Sequence, residues 1–117
     1  RIMENNWKLP KKFMKKWTKA LRSGNYDQGT GTLLDDGHFC CLGVACDVVG
    51  VPYDQISGEY IYEKFTEHGI PDPLVGGADV NLLVKQLSEM NDGTNSNREQ
   101  HDFNTIADWI DKNIKPS

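Results

Sequence analysis

The segment Cys40-Cys41-Leu42-Gly43-Val44-Ala45-Cys46-Asp47-Val48-Val49 decides how this chain folds. From Cys41 to Val49 only Asp47 is charged, and the run is long for a short strand. Gly50 and Pro52 follow it, a pairing that stops helices. The run therefore predicts a buried helix, with Gly43 and Ala45 small enough to let neighbours approach closely.

Working outward toward the N-terminus, Asp36-Gly37 is a two-residue hairpin signal. Tyr26 to Leu34 reads as the strand before it, weakened by Gly29 and Gly31, and His38-Phe39-Cys40 as the return strand. Gly29-Thr30-Gly31 also suits a loop where backbone approaches a neighbour closely. Earlier still, Pro10 fits a first helical turn, and Phe13, Trp17, Ala20 and Leu21 recur at helical spacing up to Gly24. Lys11, Lys15, Lys19 and Arg22 fall on the opposite side. Trp7 and Leu9 are placed to fold back on the first turn as a staple.

Toward the C-terminus, Tyr60-Ile61-Tyr62 favours strand, but Glu59 to His68, closed by Gly69 and Pro71, reads as a short helix. Pro71, Pro73, Gly76 and Gly77 make a loop. Asp79 is placed to cap a helix carrying Val80, Leu83, Val84, Leu87 and Met90, stopped by Asn91-Asp92-Gly93. Thr94 to Gln100 reads as a polar loop. Asp102 caps the last helix, whose apolar set is Phe103, Ile106, Ala107, Ile110 and Ile114.

With 117 residues the chain makes one domain, 1–117, large enough to bury its own core. Arg1-Ile2 stand ahead of Met3 and read as additions to a native start, and residues 1–8 as a flexible arm. No apolar run approaches the roughly 18 residues of a membrane span, and the N-terminal segment lacks the apolar stretch of a secretion signal. Three cysteines within seven positions are an odd, clustered set, unlike a disulfide framework. Reduced thiols in a cytoplasm are the simplest reading. The net charge of −4 conceals an asymmetry. Residues 1–22 carry eight of the thirteen basic side chains and one acid, and residues 23–117 carry sixteen of the seventeen acids. The basic pole is one helix.

Each candidate chemistry meets an objection. His38, Cys40, Cys41 and Cys46 are enough ligands for tetrahedral zinc, but there is no Cys-x-x-Cys knuckle and free cysteine is usually buried. Cys40 or Cys41 at a helix N-terminus, with His38 nearby as base, would suit a nucleophile; buried structural thiols are the simpler explanation. No phosphate-binding loop, metalloprotease signature or dinucleotide fingerprint is present. Residues 91–101 are too many for the roughly 3–4-residue turn of a helix-turn-helix, and the acidic remainder repels duplex nucleic acid. No metal and no cofactor is expected.

Four stretches carry a resemblance. They are Trp17-x-x-Ala20-Leu21-Arg22-Ser23-Gly24-x-Tyr26-x-Gln28-Gly29, Cys40-Cys41-Leu42-Gly43-Val44-Ala45-Cys46-Asp47, Leu87-x-x-Met90-Asn91-Asp92 and Phe103-x-x-Ile106-Ala107-Asp108-Trp109-Ile110. In order and spacing the chain resembles small proteins of tailed bacteriophages and prophages, over residues 14–50 and 80–112. The resemblance implies a phage origin, the cytoplasm of an infected bacterium and a role in the contest with the host. It also singles out Arg22, Tyr26, Gln28, Asp47, Asn91 and Asp92 as polar residues in apolar surroundings. Arg22 with Asp47 would make a buried ion pair; together the six would line a pocket.

The expected architecture is α+β, about four helices around a small β-hairpin, with Cys41–Val49 central and the first and last helices packed on it through Trp17 and Ile106. The expected function is a non-catalytic binding protein that sequesters an anionic, nucleotide-like host defence signal. Arg22 and Lys19 would hold phosphate, Tyr26 and Trp17 would stack on a base, and Gln28, Asn91 and Asp92 would hydrogen-bond it. A homodimer would help to enclose the ligand. The alternatives are a protein–protein inhibitor of a host enzyme, using the cationic helix or the acidic remainder, and a small nucleotide hydrolase.

Overall fold

A computed structural model describes residues 6–93 and 99–117. It is an α+β fold of four helices of two turns or more around small sheets. The helices are α1 (Lys11–Arg22), α2 (Cys41–Val48), α3 (Leu82–Asp92) and α4 (Phe103–Asn113). Every residue of α2 from Cys41 to Cys46 is buried, so the central helix is where its apolar run places it. The strands are β1 (Lys8–Leu9), β2 (Asp27–Gln28), β3 (Leu34–Asp35), β4 (His38–Phe39) and β5 (Lys115–Pro116).

The hairpin β3–β4 pairs Leu34 with Phe39 and Asp35 with His38. Asp36 (φ 52°) and Gly37 (φ 79°) both have positive φ, as a type I′ turn demands. The preceding strand is not continuous. Only Asp27–Gln28 pairs, parallel to β4. Between Gln28 and Leu34 the chain leaves the sheet because side chains of α3 take its polar groups: Asn91 Nδ2 donates to Gly29 O (2.9 Å) and Asp92 Oδ1 accepts from Gly31 N (3.2 Å). The Leu33 backbone then crosses α2 so closely that a Cβ on Gly43 would lie 1.9 Å from Leu33 O. Glycine at position 43 is thus the condition for that crossing.

On α1, Phe13, Met14, Trp17 and Leu21 are buried and the lysines exposed. The last helix departs from expectation. It buries Phe103, Ile106, Ala107 and Ile110 but packs chiefly on α1, and α2 instead lies against α1 and α3. A parallel pair between β1 and β5, Lys8 beside Lys115 and Leu9 beside Pro116, fixes α1 to α4 at one end. The arm expected over residues 1–8 is therefore ordered from Trp7 onward, and residues 1–5 lie outside the described residues. Trp7 does not staple α1; its ring meets Trp109 of α4 at 5.8 Å.

Three local expectations also change. Glu59–His68 is helical only as a 3-10 turn over Glu63–His68. The cap of α3 is Asn81 rather than Asp79. Its Oδ1 accepts from Val84 N (3.1 Å) while its Nδ2 donates to Pro73 O and Val75 O, and a carboxylate has no such donor. Val80 consequently precedes the helix and is exposed. Of the polar loop Thr94 to Gln100, residues 94–98 lie outside the described residues. Asp102 caps α4 as its position suggests, accepting from Thr105 N at 2.8 Å.

Candidate functional site: a polar hub and two charged faces

The first turn of α2 carries backbone groups that its own cap cannot satisfy. Cys40 Sγ accepts from Gly43 N at 3.4 Å, a weak cap. The Cys41 N–H is taken by a residue fifty positions away: Asn91 Oδ1 accepts from it at 3.1 Å. The same oxygen accepts from Gln28 Nε2 at 3.0 Å, and Gln28 also donates to His101 O at 2.8 Å. Asn91 Nδ2 gives its second hydrogen to Asp92 Oδ1 at 2.8 Å. Asn91 is 0% exposed, with both amide hydrogens and its oxygen engaged. Its burial is tolerable because nothing on it is left unpaired. On the other side of α2, Trp17 Nε1 donates to Cys41 O at 2.9 Å.

These contacts reassign several expected ligand-binding residues. Trp17 is fully buried and is a core side chain, not a stacking platform. Gln28 and Asn91 join α2, α3 and the Gly29–Gly31 loop. Arg22 does not meet Asp47. Its Nη2 donates to Asp108 (2.7 Å) and Asp111 (2.9 Å) on the surface of α4, because α4 rather than α2 flanks the end of α1. Both hydrogen bonds hold its pKa above the ordinary value, Asp108 foremost. Asp47 instead accepts from the Tyr26 hydroxyl, and burial, then that bond, pushes the Tyr26 pKa well up. Tyr26 sits edge-on to Phe39, with ring centroids 5.0 Å apart.

The thiols are buried and free. Cys40 stands at the N-terminus of α2, yet burial pushes its pKa up to about 11, overcoming the nearby backbone N–H groups. Burial likewise raises Cys46 to about 12 and Cys41 well above its usual value. Such thiols are poor nucleophiles.

What remains open to a partner is surface. Lys11, Lys12, Lys15, Lys16 and Lys19 are exposed along α1, and Arg22 alone of the basic residues in α1 is ion-paired among the described residues. Lys16, Lys19, Ser23 and Tyr26 border a shallow cleft of about 360 Å³ with Ala20 and Val48 at its floor. Tyr26 also borders a second one, of about 240 Å³, with Arg22 and Gln28. The structure thus brings Lys19, Arg22, Tyr26 and Gln28 to one side of the molecule, while Asp92 belongs elsewhere. It lines a groove of about 660 Å³ between α3, Gly31 and the segments around Tyr60 and Gly77. Glu59, Asp79 and Leu82 line it as well, with Lys85 as its one basic side chain. Glu59 and Asp79 have no side-chain partner among the described residues.

The sequence reading missed Lys16, Ser23 and Asn25 of the α1 cleft and all of the groove except Gly31 and Asp92. One signal was available. Leu82 lies off the stripe formed by Leu83, Val84 and Leu87, an apolar residue with no core to face.

Together these features describe a small α+β domain, in which a buried thiol helix and a saturated polar hub carry two surfaces of opposite charge. The chain belongs to the family described as a domain of unknown function (DUF8296), whose model matches residues 9–68, just over half of its length. The match takes in α1, the hairpin and α2, and ends before α3. Neither the curated proteins nor the solved structures contain a match.

Proposed function

We propose that this protein is a non-catalytic binding protein whose contact surface is the lysine face of α1. The observation that carries this reading is the row of exposed lysines from Lys11 to Lys19, none of them ion-paired among the described residues, on a helix whose other face is fixed in the core. A rigid, unneutralised row of this kind steers and holds an acidic surface. The resemblance to tailed-phage proteins supplies the setting: the cytoplasm of an infected bacterium, and a host protein as the acidic partner.

A second reading, an anionic nucleotide-like ligand held without being consumed, keeps one specific support. Lys16, Lys19 and Tyr26 border a single cleft. Against it stand the ion-pairing of Arg22, the burial of Trp17 and the saturation of Asn91. A nucleotide hydrolase draws no support from the thiols, which burial holds in their protonated form.

The test compares wild type with Lys16→Glu/Lys19→Glu. Host proteins retained by the immobilised chain are identified, and calorimetry is run against mono-, di- and cyclic nucleotides. The expected result is one acidic host protein retained by the wild type at low salt and lost in the variant. A nucleotide bound more tightly than about 100 μM, and lost in the same variant, would establish the second reading instead. With neither, both are abandoned.

A further inference from the structure

An acidic surface complementary in charge to the lysine face lies elsewhere on the same chain. The groove beside α3 is bordered by Glu59, Asp79 and Asp92 against Lys85 alone among basic side chains, and the first two carboxylates have no partner among the described residues. The groove is also where the exposed apolar side chains gather. Five large hydrophobic residues are exposed among the described ones. Of these, Leu82 (73% exposed) and Tyr60 (41%) line the groove. Val80 (81%) precedes Leu82 by two positions in the chain, and Tyr62 packs on Tyr60 with centroids 5.1 Å apart. Leucine and valine left this far in water beside a groove mark a contact surface.

The lysine face has the converse shape. Between Lys16 and Lys19 on one side and Tyr26 on the other lies the open cleft of about 360 Å³, floored by Ala20 and Val48. One surface thus offers apolar knobs among carboxylates, and the other an apolar hole among lysines. Lysine stems can cover the exposed apolar rim while their ammonium groups reach the carboxylates. Within one molecule the two faces cannot meet, since α1 and α3 are both fixed on α2.

We propose that the groove receives the lysine face of a second copy of this chain, with Leu82 entering the Ala20–Val48 cleft and Lys16 and Lys19 facing Glu59 and Asp79. The contact is heterologous: each molecule uses one face as donor and the other as acceptor, so copies add head to tail. It covers the lysines assigned above to a host partner, so self-association and partner binding exclude one another. Because the self-contact also requires the groove, its failure leaves the partner reading intact.

Light scattering after size separation, over about 10–300 μM protein and in about 0.05 M and then about 0.5 M salt, reads the outcome. The wild-type mass should rise above that of the 13.2 kDa chain with concentration at low salt and return to it at high salt. Leu82→Asp removes the knob, and Lys16→Ala/Lys19→Ala removes the lysines. Both changes are at exposed positions, and circular dichroism melts verify that each variant is folded. Alone, each should stay a single chain. Mixed, they should form a one-to-one pair and grow no further, since each retains one intact face. A wild type that stays a single chain throughout overturns the proposal. So does association that either variant leaves unchanged, or a mixture that forms no pair. Were a Leu-Lys-Lys peptide to bind the groove while the wild type stays a single chain, the groove would belong to a foreign partner and the proposal would fall.

Discussion

Asn91 and Lys19 are both polar residues on helices, and they stand at opposite ends of one scale. Asn91 is sealed in the interior with both amide hydrogens and its oxygen bonded to Gln28, Gly29, Cys41 and Asp92. Lys19 stands in solvent without an ion-pair partner among the described residues. The saturated residue has no bond left to give a ligand, and the other holds no ion pair in the frame among the described residues. A polar residue in an apolar stretch of sequence is thus as often a mortise in the frame as a hand extended to a partner, and its bonding decides which.

The comparison is tested most severely at the centre. Gly43→Ala sets a Cβ against Leu33 O, a backbone atom that cannot swing aside. Urea denaturation should show a loss of at least about 3 kcal/mol, or no folded protein. A loss under about 1 kcal/mol would mean that the crossing is looser than described.

Asn91→Ala comes next. It strands the buried Cys41 N–H and Gly29 O and leaves Gln28 one acceptor fewer. The expected loss is about 2–3 kcal/mol by the same measurement. A change below about 0.5 kcal/mol would remove the contrast with Lys19.

Asp102→Ala samples an exposed but bonded residue and should cost about 1 kcal/mol as a lost helix cap. Hydrogen bonds from Thr105 hold the Asp102 carboxyl below its usual range. A depressed carboxyl stabilises the fold fully above the unfolded carboxylate pKa of about 4, and that contribution is lost as pH falls through the folded value. The gap between wild type and variant should therefore be constant at neutral pH and close in acid. A gap that widens in acid would show that the cap is not what is being measured.

The smallest effect sharpens the other end. Lys16→Glu/Lys19→Glu should move stability by less than about 0.5 kcal/mol in either direction. A larger loss would show that these lysines help to hold α1.

The frame was legible where one residue's environment follows from its neighbours in sequence. The apolar run Cys41–Val48, the stripes Phe13–Trp17–Leu21 and Phe103–Ile106–Ile110 and the Asp36-Gly37 turn all appear where periodicity and turn chemistry put them. What stayed hidden depends on distant segments. Asn81 outcompetes Asp79 as a cap only because Pro73 O and Val75 O need donors. The expected strand Tyr26 to Leu34 is broken between Gln28 and Leu34, where Asn91 and Asp92 intercept its backbone. Arg22 finds Asp108 and Asp111 only because α4 lies on α1. For the site, the sequence marks which residues are unusual; it does not mark which have bonds to spare.

The closure of α4 on α1 also sets the order in which the molecule is made. α1 finds its main companion in α4, about eighty residues later in the chain, and the β1–β5 clasp forms only when Lys115 and Pro116 have been made. At roughly 5–20 residues per second the interval lasts on the order of several seconds. During that time the apolar face of α1 lacks α4 as its cover, on a strongly cationic segment. Contacts of such wide sequence separation form late, since the long intervening loop must close first. A chain cut before Phe103 would therefore keep α2 beside α1 but leave uncovered the side of α1 that α4 closes.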